Sequence, residues 1–124
     1  MKHLFIAALC LAGFMQVVAQ EPLKDWANFG RYKEANAAVQ QPVKAVFMGN
    51  SITDGWPSAD PDFFTKNGYV GRGIGGQVSA QMLMRFRQDV INLKPQAVVI
   101  LAGTNDLAHN DYAVTPEQTF DNVV

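Results

Sequence analysis

Two short polar motifs follow apolar stretches of the chain, and the first contains a serine placed for nucleophilic chemistry. It is GNSITDGW at residues 49–56, directly after the apolar, β-branched stretch at residues 43–48. A serine that leaves a buried strand through a glycine lies exposed at the rim of a sheet, which suits a nucleophile such as Ser51. The same motif also fits a plain turn, since Asn and Ser are common in turns and Ser51 could be a helix N-cap.

The second motif is GTND at residues 103–106, after the apolar stretch at residues 97–102. Asn105 carries a side-chain amide, the type of donor that stabilises a developing oxyanion. Here too a turn is the alternative, with Asn105 and Asp106 capping the segment that follows. In an open parallel sheet, functional side chains gather at the carboxyl ends of the strands, and both motifs occupy such positions.

A glycine-rich motif, GRGIGGQ at residues 71–77, lies between these two. Gly71, Gly73 and Gly76 have the spacing of a dinucleotide-binding fingerprint, which requires a preceding strand, a following helix and an acidic residue ending the next strand. The next strand ends in Ala-Gly-Thr instead, so a nucleotide-binding α/β domain is kept only as an alternative. We expect these glycines to let backbone N–H groups approach a reacting centre closely.

The three motifs, in this order and at this spacing, resemble the first three sequence blocks of the SGNH (GDSL-like) hydrolases. The resemblance spans residues 26–111. It implies a flavodoxin-like three-layer α/β/α sandwich with a parallel sheet, and a serine esterase mechanism. By position, the resemblance implies that Ser51 is the nucleophile. It also implies that the backbone N–H groups of Ser51 and Gly76 and the side chain of Asn105 form the oxyanion hole. Asn50 stands where the family usually has Asp, a position to which the family assigns no catalysis.

The general base for such a serine is the missing part of the pattern. A serine needs an adjacent histidine, held by a carboxylate, to accept its proton. Members of the family supply both from an Asp-x-x-His motif near the carboxyl terminus, whereas the two histidines here are His3 and His109. Asp106 and His109 have this spacing, but Asp106 already belongs to the GTND motif. We interpret that match as coincidental, predict His109 to be a solvent-facing loop residue, and expect the catalytic Asp and His beyond residue 124.

The surrounding sequence predicts the alternating helices and strands of an α/β domain. The predicted helices cover residues 22–40 and 79–93. The predicted strands cover residues 43–48, 68–70 and 97–102, and we expect the first and the last of these strands to be buried. Residues 60–64 could form a short helix or an ordered loop. Thr115, Pro116 and Gln118 form a helix-start signal that only six residues follow. We therefore expect an amino-terminal portion of a domain, truncated at its carboxyl end.

The first residues predict a cleaved secretory signal peptide at residues 1–19. A short basic region precedes a mostly apolar run over residues 4–18, and the sequence VVA at residues 17–19 suits a signal peptidase. The run is shorter than the ~20 apolar residues that span a bilayer, which disfavours a membrane anchor. The only cysteine is Cys10, and Leu9 before it disfavours a lipoprotein, because a lipoprotein has a small residue before its acylated cysteine. A single cysteine also forms no intrachain disulfide. The mature domain is then residues 20–124, secreted or periplasmic.

Composition narrows the classes of function. With 48% hydrophobic residues and a net charge of −1, the chain lacks the basic excess that binds nucleic acid or an anionic membrane. We predict a secreted serine esterase that hydrolyses acyl esters, above all acetyl esters of carbohydrates, with no cofactor and no metal. The alternatives are a non-catalytic carbohydrate-binding relative, and a lysophospholipase or thioesterase that uses the same serine and oxyanion hole.

Overall fold

Three parallel strands and six α-helices form the part of the chain that the computed structural model describes, residues 24–111 and 114–124. In chain order they are α1 (Lys33–Ala37), β1 (Ala45–Gly49), α2 (Ser51–Ala59), α3 (Pro61–Asn67), β2 (Tyr69–Gly73), α4 (Ser79–Asp89), β3 (Ala97–Leu101), α5 (Thr104–Leu107) and α6 (Pro116–Asp121). A 3-10 turn, Ile91–Leu93, follows α4. The predicted signal peptide lies outside the described residues.

The sheet has the strand order β2-β1-β3, with β1 in the centre. All pairings are parallel, and Gly49 at the end of β1 lies opposite Gly73 of β2 and Leu101 of β3. The chain leaves β1 for β2 through α2 and α3, and then crosses back to β3 through α4. Right-handed crossovers in opposite directions place these helices on opposite faces of the sheet. The predicted α/β/α fold is confirmed, and in this strand order a ligand crevice is expected between the ends of β1 and β3.

The core lies on both faces of β1, whose sequence AVFMG is buried throughout. On one face, Val46 and Met48 belong to the same apolar cluster as Met82 of α4. On the other face, Phe47 packs edge-on against Trp56 of α2, with the ring centroids 5.4 Å apart. These contacts fix α2, and therefore the residues at its N-terminus, against the central strand.

β3 differs from the buried strand that its sequence AVVIL predicts. All five of its residues are exposed, and the side chains of Val98 to Leu101 are between 38% and 45% accessible. β3 pairs with β1 along one edge, but no helix in the described part of the chain makes extensive contact with it. The predicted strand is therefore confirmed and its predicted burial is wrong for the described residues, because an apolar strand is buried only where other elements cover it.

The predicted helix over residues 22–40 is wrong for most of its described length. Only α1 is helical, and residues 24–32 form a series of turns. The Asp25 carboxylate opposes a helix here because it accepts the backbone N–H groups of Phe29 and Gly30, at 2.9 and 3.1 Å. Asn28 has φ 56°, a left-handed conformation that interrupts a right-handed helix.

The other predicted elements lie close to those observed. Residues 60–64, left open between helix and loop, include the start of α3, and Asp60 caps that helix by accepting the N–H of Phe63 at 3.1 Å. The short predicted strand at residues 68–70 is β2, which continues to Gly73. Thr115 and Gln118 form the capping box of α6, with reciprocal hydrogen bonds of 2.9 and 3.2 Å.

Candidate active site

Ser51 is the first residue of α2, directly beyond the end of β1. Asn50 caps this helix, since its side-chain oxygen accepts the backbone N–H of Ile52 at 3.1 Å. Asn50 is buried, whereas Ser51 is exposed. The start of α2 therefore presents the Ser51 hydroxyl at the carboxyl end of the sheet, where first-turn N–H groups and the helix dipole favour a developing negative charge.

Two glycines let α2 approach the strands more closely than any other residue would allow. A Cβ atom on Gly73 would lie 2.0 Å from the backbone nitrogen of Asp54, and one on Gly49 would lie 2.2 Å from Oγ1 of Thr53. Such separations are far below van der Waals contact. Gly73 thus makes room for α2, a different task from the approach of N–H groups to a reacting centre that we predicted for this motif.

The loop after β2 that contains Gly75 and Gly76, here called the glycine loop, lies next to α2. A Cβ atom on Gly75 would lie 3.8 Å from the Cβ atom of Ser51. The backbone N–H of Gly75 donates to Oδ2 of Asp54 at 3.0 Å, and Oδ1 of Asp54 accepts from Arg31 at 3.1 Å, which raises the pKa of Arg31. Gly76 has φ 76°, in the region that favours glycine. Asp54 therefore joins α2 to the glycine loop, a role that sequence reasoning missed.

Asn105 lies in α5, just beyond β3, and its side chain reaches the same loop. Its Nδ2 donates to the backbone oxygen of Gln77 at 2.9 Å, and its Oδ1 accepts from Nδ2 of Asn110 at 2.9 Å. These two partners fix the orientation of the amide. A carboxamide nitrogen carries two hydrogens, so the second can serve a substrate oxygen. The loop thus lies between Ser51 at the end of β1 and Asn105 at the end of β3, while the oxyanion hole stays a prediction.

A buried ion pair supports the loop from within the domain. The side chains of Arg85 and Asp89 are fully buried, with Nη1 of Arg85 3.1 Å from Oδ2 of Asp89. Arg85 also donates to Oε1 of Gln77 at 2.6 Å and to the backbone oxygen of Gly49 at 3.3 Å. Burial lowers the pKa of Arg85, and the hydrogen bond with Asp89 opposes that shift. The i,i+4 spacing of Arg85 and Asp89 on α4 is the sequence signal that indicates this pair.

The stretch that carries Ser51, Gly76 and Asn105 also matches a known family. The sequence model of the GDSL-like Lipase/Acylhydrolase family covers residues 47–124. The chain belongs to this family. The predicted resemblance to the GDSL-like hydrolases is thereby confirmed, while the roles of the individual site residues stay predictions.

Solved structures share the fold of this chain. A protein from Bacteroides fragilis described as an acylhydrolase is 57% identical, with a TM-score of 0.77 over 81% of this chain and 50% of its own. A GDSL-like lipase from Bacteroides thetaiotaomicron is 56% identical, with a TM-score of 0.75 over 78% of this chain and 49% of its own. An acetyl xylan esterase is 25% identical, with a TM-score of 0.55 over 65% and 48%. The chain spans about half the length of these structures, and no curated protein matched it.

The GTND motif also contributes a structural acid. Asp106 is buried, and its two carboxylate oxygens accept the backbone N–H of Ser79, the first residue of α4, at 3.0 and 2.9 Å. It therefore stabilises the N-terminus of α4. His109 is exposed, with φ 54°, and no hydrogen bond joins its ring to Asp106 or Ser51 in the described residues. This geometry favours the interpretation of the local Asp-x-x-His spacing as coincidental.

The groups at the candidate site are a hydroxyl, backbone N–H groups and a carboxamide. Over residues 24–111 and 114–124, no cluster of three or more His, Cys, Asp or Glu side chains is arranged to hold a metal ion. None of the helices described combines the length and the apolar character needed to cross a bilayer.

Proposed function

We propose that this protein is a secreted serine esterase that hydrolyses acyl esters, above all acetyl esters of carbohydrates. The observation that carries the proposal is the junction of β1 and α2, where Ser51 lies exposed beside Gly75 of the glycine loop. Asn105 contacts the same loop through its hydrogen bond to the backbone oxygen of Gln77. Membership of the acylhydrolase family supports a hydrolase. The likeness to an acetyl xylan esterase, at 25% identity, supports an acetyl ester of a carbohydrate.

The proposed mechanism begins when Oγ of Ser51 attacks the carbonyl carbon of the ester and a general base takes the hydroxyl proton. The carbonyl oxygen becomes an oxyanion, which the backbone N–H groups of Ser51 and Gly76 and the Nδ2 of Asn105 would bind. The tetrahedral intermediate collapses by breaking the ester C–O bond, and the alcohol leaves with the proton. Water then attacks the acyl-enzyme in the same way, releasing the acid and restoring Ser51. No histidine of the described residues is hydrogen-bonded to the Ser51 hydroxyl.

The test uses the full-length protein and its Ser51→Ala variant. We expect the wild type to hydrolyse 4-nitrophenyl acetate and to release acetate from acetylated xylan. Ser51→Ala should lose nearly all of this activity and keep the thermal melt, because Ser51 is exposed and packs little. Ser58→Ala is the matched control, since Ser58 is another exposed serine of α2 and should be silent.

Other outcomes of the same assay separate the alternatives. Substantial turnover by Ser51→Ala would show that a different residue is the nucleophile. Faster hydrolysis of 4-nitrophenyl octanoate or of an acetyl thioester would favour the lysophospholipase or thioesterase alternative. A wild-type protein that binds acetylated xylan without releasing acetate would favour the non-catalytic carbohydrate-binding relative.

Secretion is tested separately, because the residues that suggest it lie outside those described. The protein expressed with its natural first residues should be recovered from the periplasm or the medium. Its mass should correspond to cleavage after Ala19, as the VVA sequence predicts. Recovery of the uncleaved protein in the cytoplasm would contradict this part of the proposal.

A further inference from the structure

A segment before the family match forms one wall of the candidate site. Residues 24–32 precede residue 47, where the match begins, yet they are firmly attached to α4 and to the loop before it. Three glutamine side chains donate to backbone oxygens of this segment: Gln77 to Ala27 at 2.8 Å, Gln81 to Trp26 at 2.8 Å and Gln88 to Phe29 at 2.7 Å. Gln81 and Gln88 are seven residues apart and therefore share one face of α4. The segment is a fixed part of the domain.

A cleft of about 280 Å³ lies between this segment and the glycine loop. Gly75 and Gly76 border it on one side, and Asp25, Trp26 and Asn28 border it on the other. The volume is near the ~300 Å³ lower end of small-molecule sites. The cleft therefore has room for one ring-sized group and too little for a long acyl chain.

The lining of the cleft is polar, and among the described residues that border it there is no lysine or arginine. Its polar side chains, apart from Gln77, are those of Asp25, Asn28, Gln81, Asn110 and Asp111. Carboxylates and carboxamides bind hydroxyl groups, while the two carboxylates disfavour an anionic ligand such as a phosphate. The Trp26 indole donates its N–H to Asp111. An indole held at the rim of a polar cleft suits a ring that has both hydroxyl groups and an apolar C–H face.

We propose that this cleft binds the alcohol portion of the ester, and that this portion is a neutral, hydroxyl-rich ring. The inference rests on the proposed esterase function, because it places the leaving group beside the nucleophile. Gly75 borders the cleft and lies against Ser51, and Asn110 borders the cleft and is hydrogen-bonded to Asn105. An ester whose carbonyl oxygen lies between Ser51 and Asn105 therefore has its alcohol within reach of the cleft. Residues 24–32 then determine which alcohol is accepted.

The experiment compares esters that share an acetyl group and differ in the alcohol. The substrates are an acetylated methyl xyloside, which is neutral, acetylcholine, which is cationic, and 4-nitrophenyl acetate as the activated reference. In the full-length protein, Asn28→Gly removes the carboxamide and keeps the left-handed backbone conformation. Asn92→Gly is the matched control, because Asn92 is exposed in the 3-10 turn after α4 and does not border the cleft.

We expect Asn28→Gly to raise the KM for the xyloside roughly fivefold, the effect of one lost hydrogen bond, and Trp26→Ala to raise it roughly tenfold. The ratio of kcat/KM for the xyloside to kcat/KM for 4-nitrophenyl acetate should fall in both variants, because the nitrophenyl ring has no hydroxyl groups for the cleft to bind. Asn92→Gly should match the wild type on every substrate. Circular dichroism checks that each variant is folded.

Binding is measured without turnover in the Ser51→Ala protein, by saturation-transfer NMR with unacetylated methyl xyloside. We expect a signal from the sugar ring that Asn28→Gly and Trp26→Ala weaken. Equal losses on all three esters, a preference for acetylcholine over the xyloside, or no binding of the xyloside would overturn the proposal. If the wild type hydrolyses none of the esters but xyloside binding still depends on Asn28, the esterase function and the leaving-group assignment both fail, while the cleft stands as a site for a neutral, hydroxyl-rich ring.

Discussion

The side chains around Ser51 are of two kinds. Those of the first kind would contact the reacting ester, and those of the second kind hold the residues of the site in place. We assign Asn105 to the first kind as a prediction, because its amide nitrogen donates one hydrogen to the Gln77 backbone and carries a second. Asp54 belongs to the second kind, because it accepts the N–H of Gly75 and so fixes the glycine loop. The two kinds should differ in kinetics, since a group that binds only the oxyanion affects kcat without affecting ground-state binding.

Replacing Asn105 with alanine tests the first kind. We expect Asn105→Ala to lower kcat for 4-nitrophenyl acetate by roughly 10²–10³-fold, with a much smaller change in KM, because the donor acts on charge that exists in the transition state. His109→Ala is the control, since His109 is exposed and makes no hydrogen bond to Asp106 through its ring. An equal loss in His109→Ala would restore the local Asp-x-x-His as the catalytic pair.

Replacing Asp54 tests the second kind. Asp54→Ala removes the acceptor of Gly75 and should lower kcat about tenfold, with KM little changed, because the loop that carries Gly76 loses its anchor. Asp54→Asn keeps an oxygen acceptor and should recover most of the activity. Asp62→Ala is the control, since Asp62 forms an exposed ion pair with Lys66 at 2.6 Å, and such pairs contribute little. Equal kcat in Asp54→Ala and the wild type would show that the loop holds its position without Asp54.

At the scale of elements, the site depends on how closely β2 approaches α2. The hydrogen bond from Gly75 to Asp54 forms because the preceding Gly73 lies almost in contact with the backbone of α2. A larger residue at Gly73 would push the strand and the helix apart and move the glycine loop away from Ser51. Protein interiors are close-packed, so such a displacement has no empty space to enter.

Replacing Gly73 with alanine should therefore destabilise the protein. The added Cβ would lie 2.0 Å from the nitrogen of Asp54 and 2.4 Å from the carbonyl carbon of Thr53, both backbone atoms. We expect a loss of about 3 kcal/mol or more in the free energy of unfolding, measured by urea denaturation. Gly55→Ala is the control within α2, because a Cβ there meets nothing within 4 Å. It should raise stability by about 0.5–1 kcal/mol, since alanine favours a helix. Equal effects of the two substitutions would contradict this account.

At the scale of the whole molecule, the described residues bury the central strand of the sheet and leave the edge strand β3 exposed. β1 is covered on both faces and paired on both edges, whereas β3 is paired only with β1 and exposes its apolar side chains. An exposed, apolar edge strand readily pairs with another chain. A polypeptide of residues 20–124 should therefore show a broad thermal melt and concentration-dependent association. It should also lack esterase activity, because none of its described histidines is hydrogen-bonded to the Ser51 hydroxyl.

A charge on β3 tests the cause of this association. Val99→Lys should reduce it in analytical ultracentrifugation of residues 20–124, because a charged edge strand opposes strand pairing. Ile91→Lys is the control, since Ile91 is 46% exposed and Val99 is 45% exposed, but Ile91 lies outside the sheet. A polypeptide that stays monomeric, melts cooperatively and hydrolyses 4-nitrophenyl acetate would show that the expectation is wrong.

The sequence by itself determined the elements whose signals are local. The apolar stretch before Gly49 predicts β1, the Thr115 and Gln118 capping box predicts α6, and three motifs after strands predict a family and three site residues. These signals need only neighbouring residues, because capping and strand formation depend on side chains a few positions away. The fold and the family are confirmed, while the signal peptide and the roles of Ser51, Gly76 and Asn105 stay predictions.

The tertiary structure alone decided the features that join distant parts of the chain. Residues 24–32 have the apolar spacing of a helix, yet they follow a different path because Asp25 competes for their N–H groups and glutamines 50 or more residues away bind their carbonyl oxygens. The exposure of β3 likewise depends on which elements cover it. A local sequence pattern predicts neither result, because both depend on contacts between residues that are far apart in the sequence. Such contacts form only when the folded chain packs.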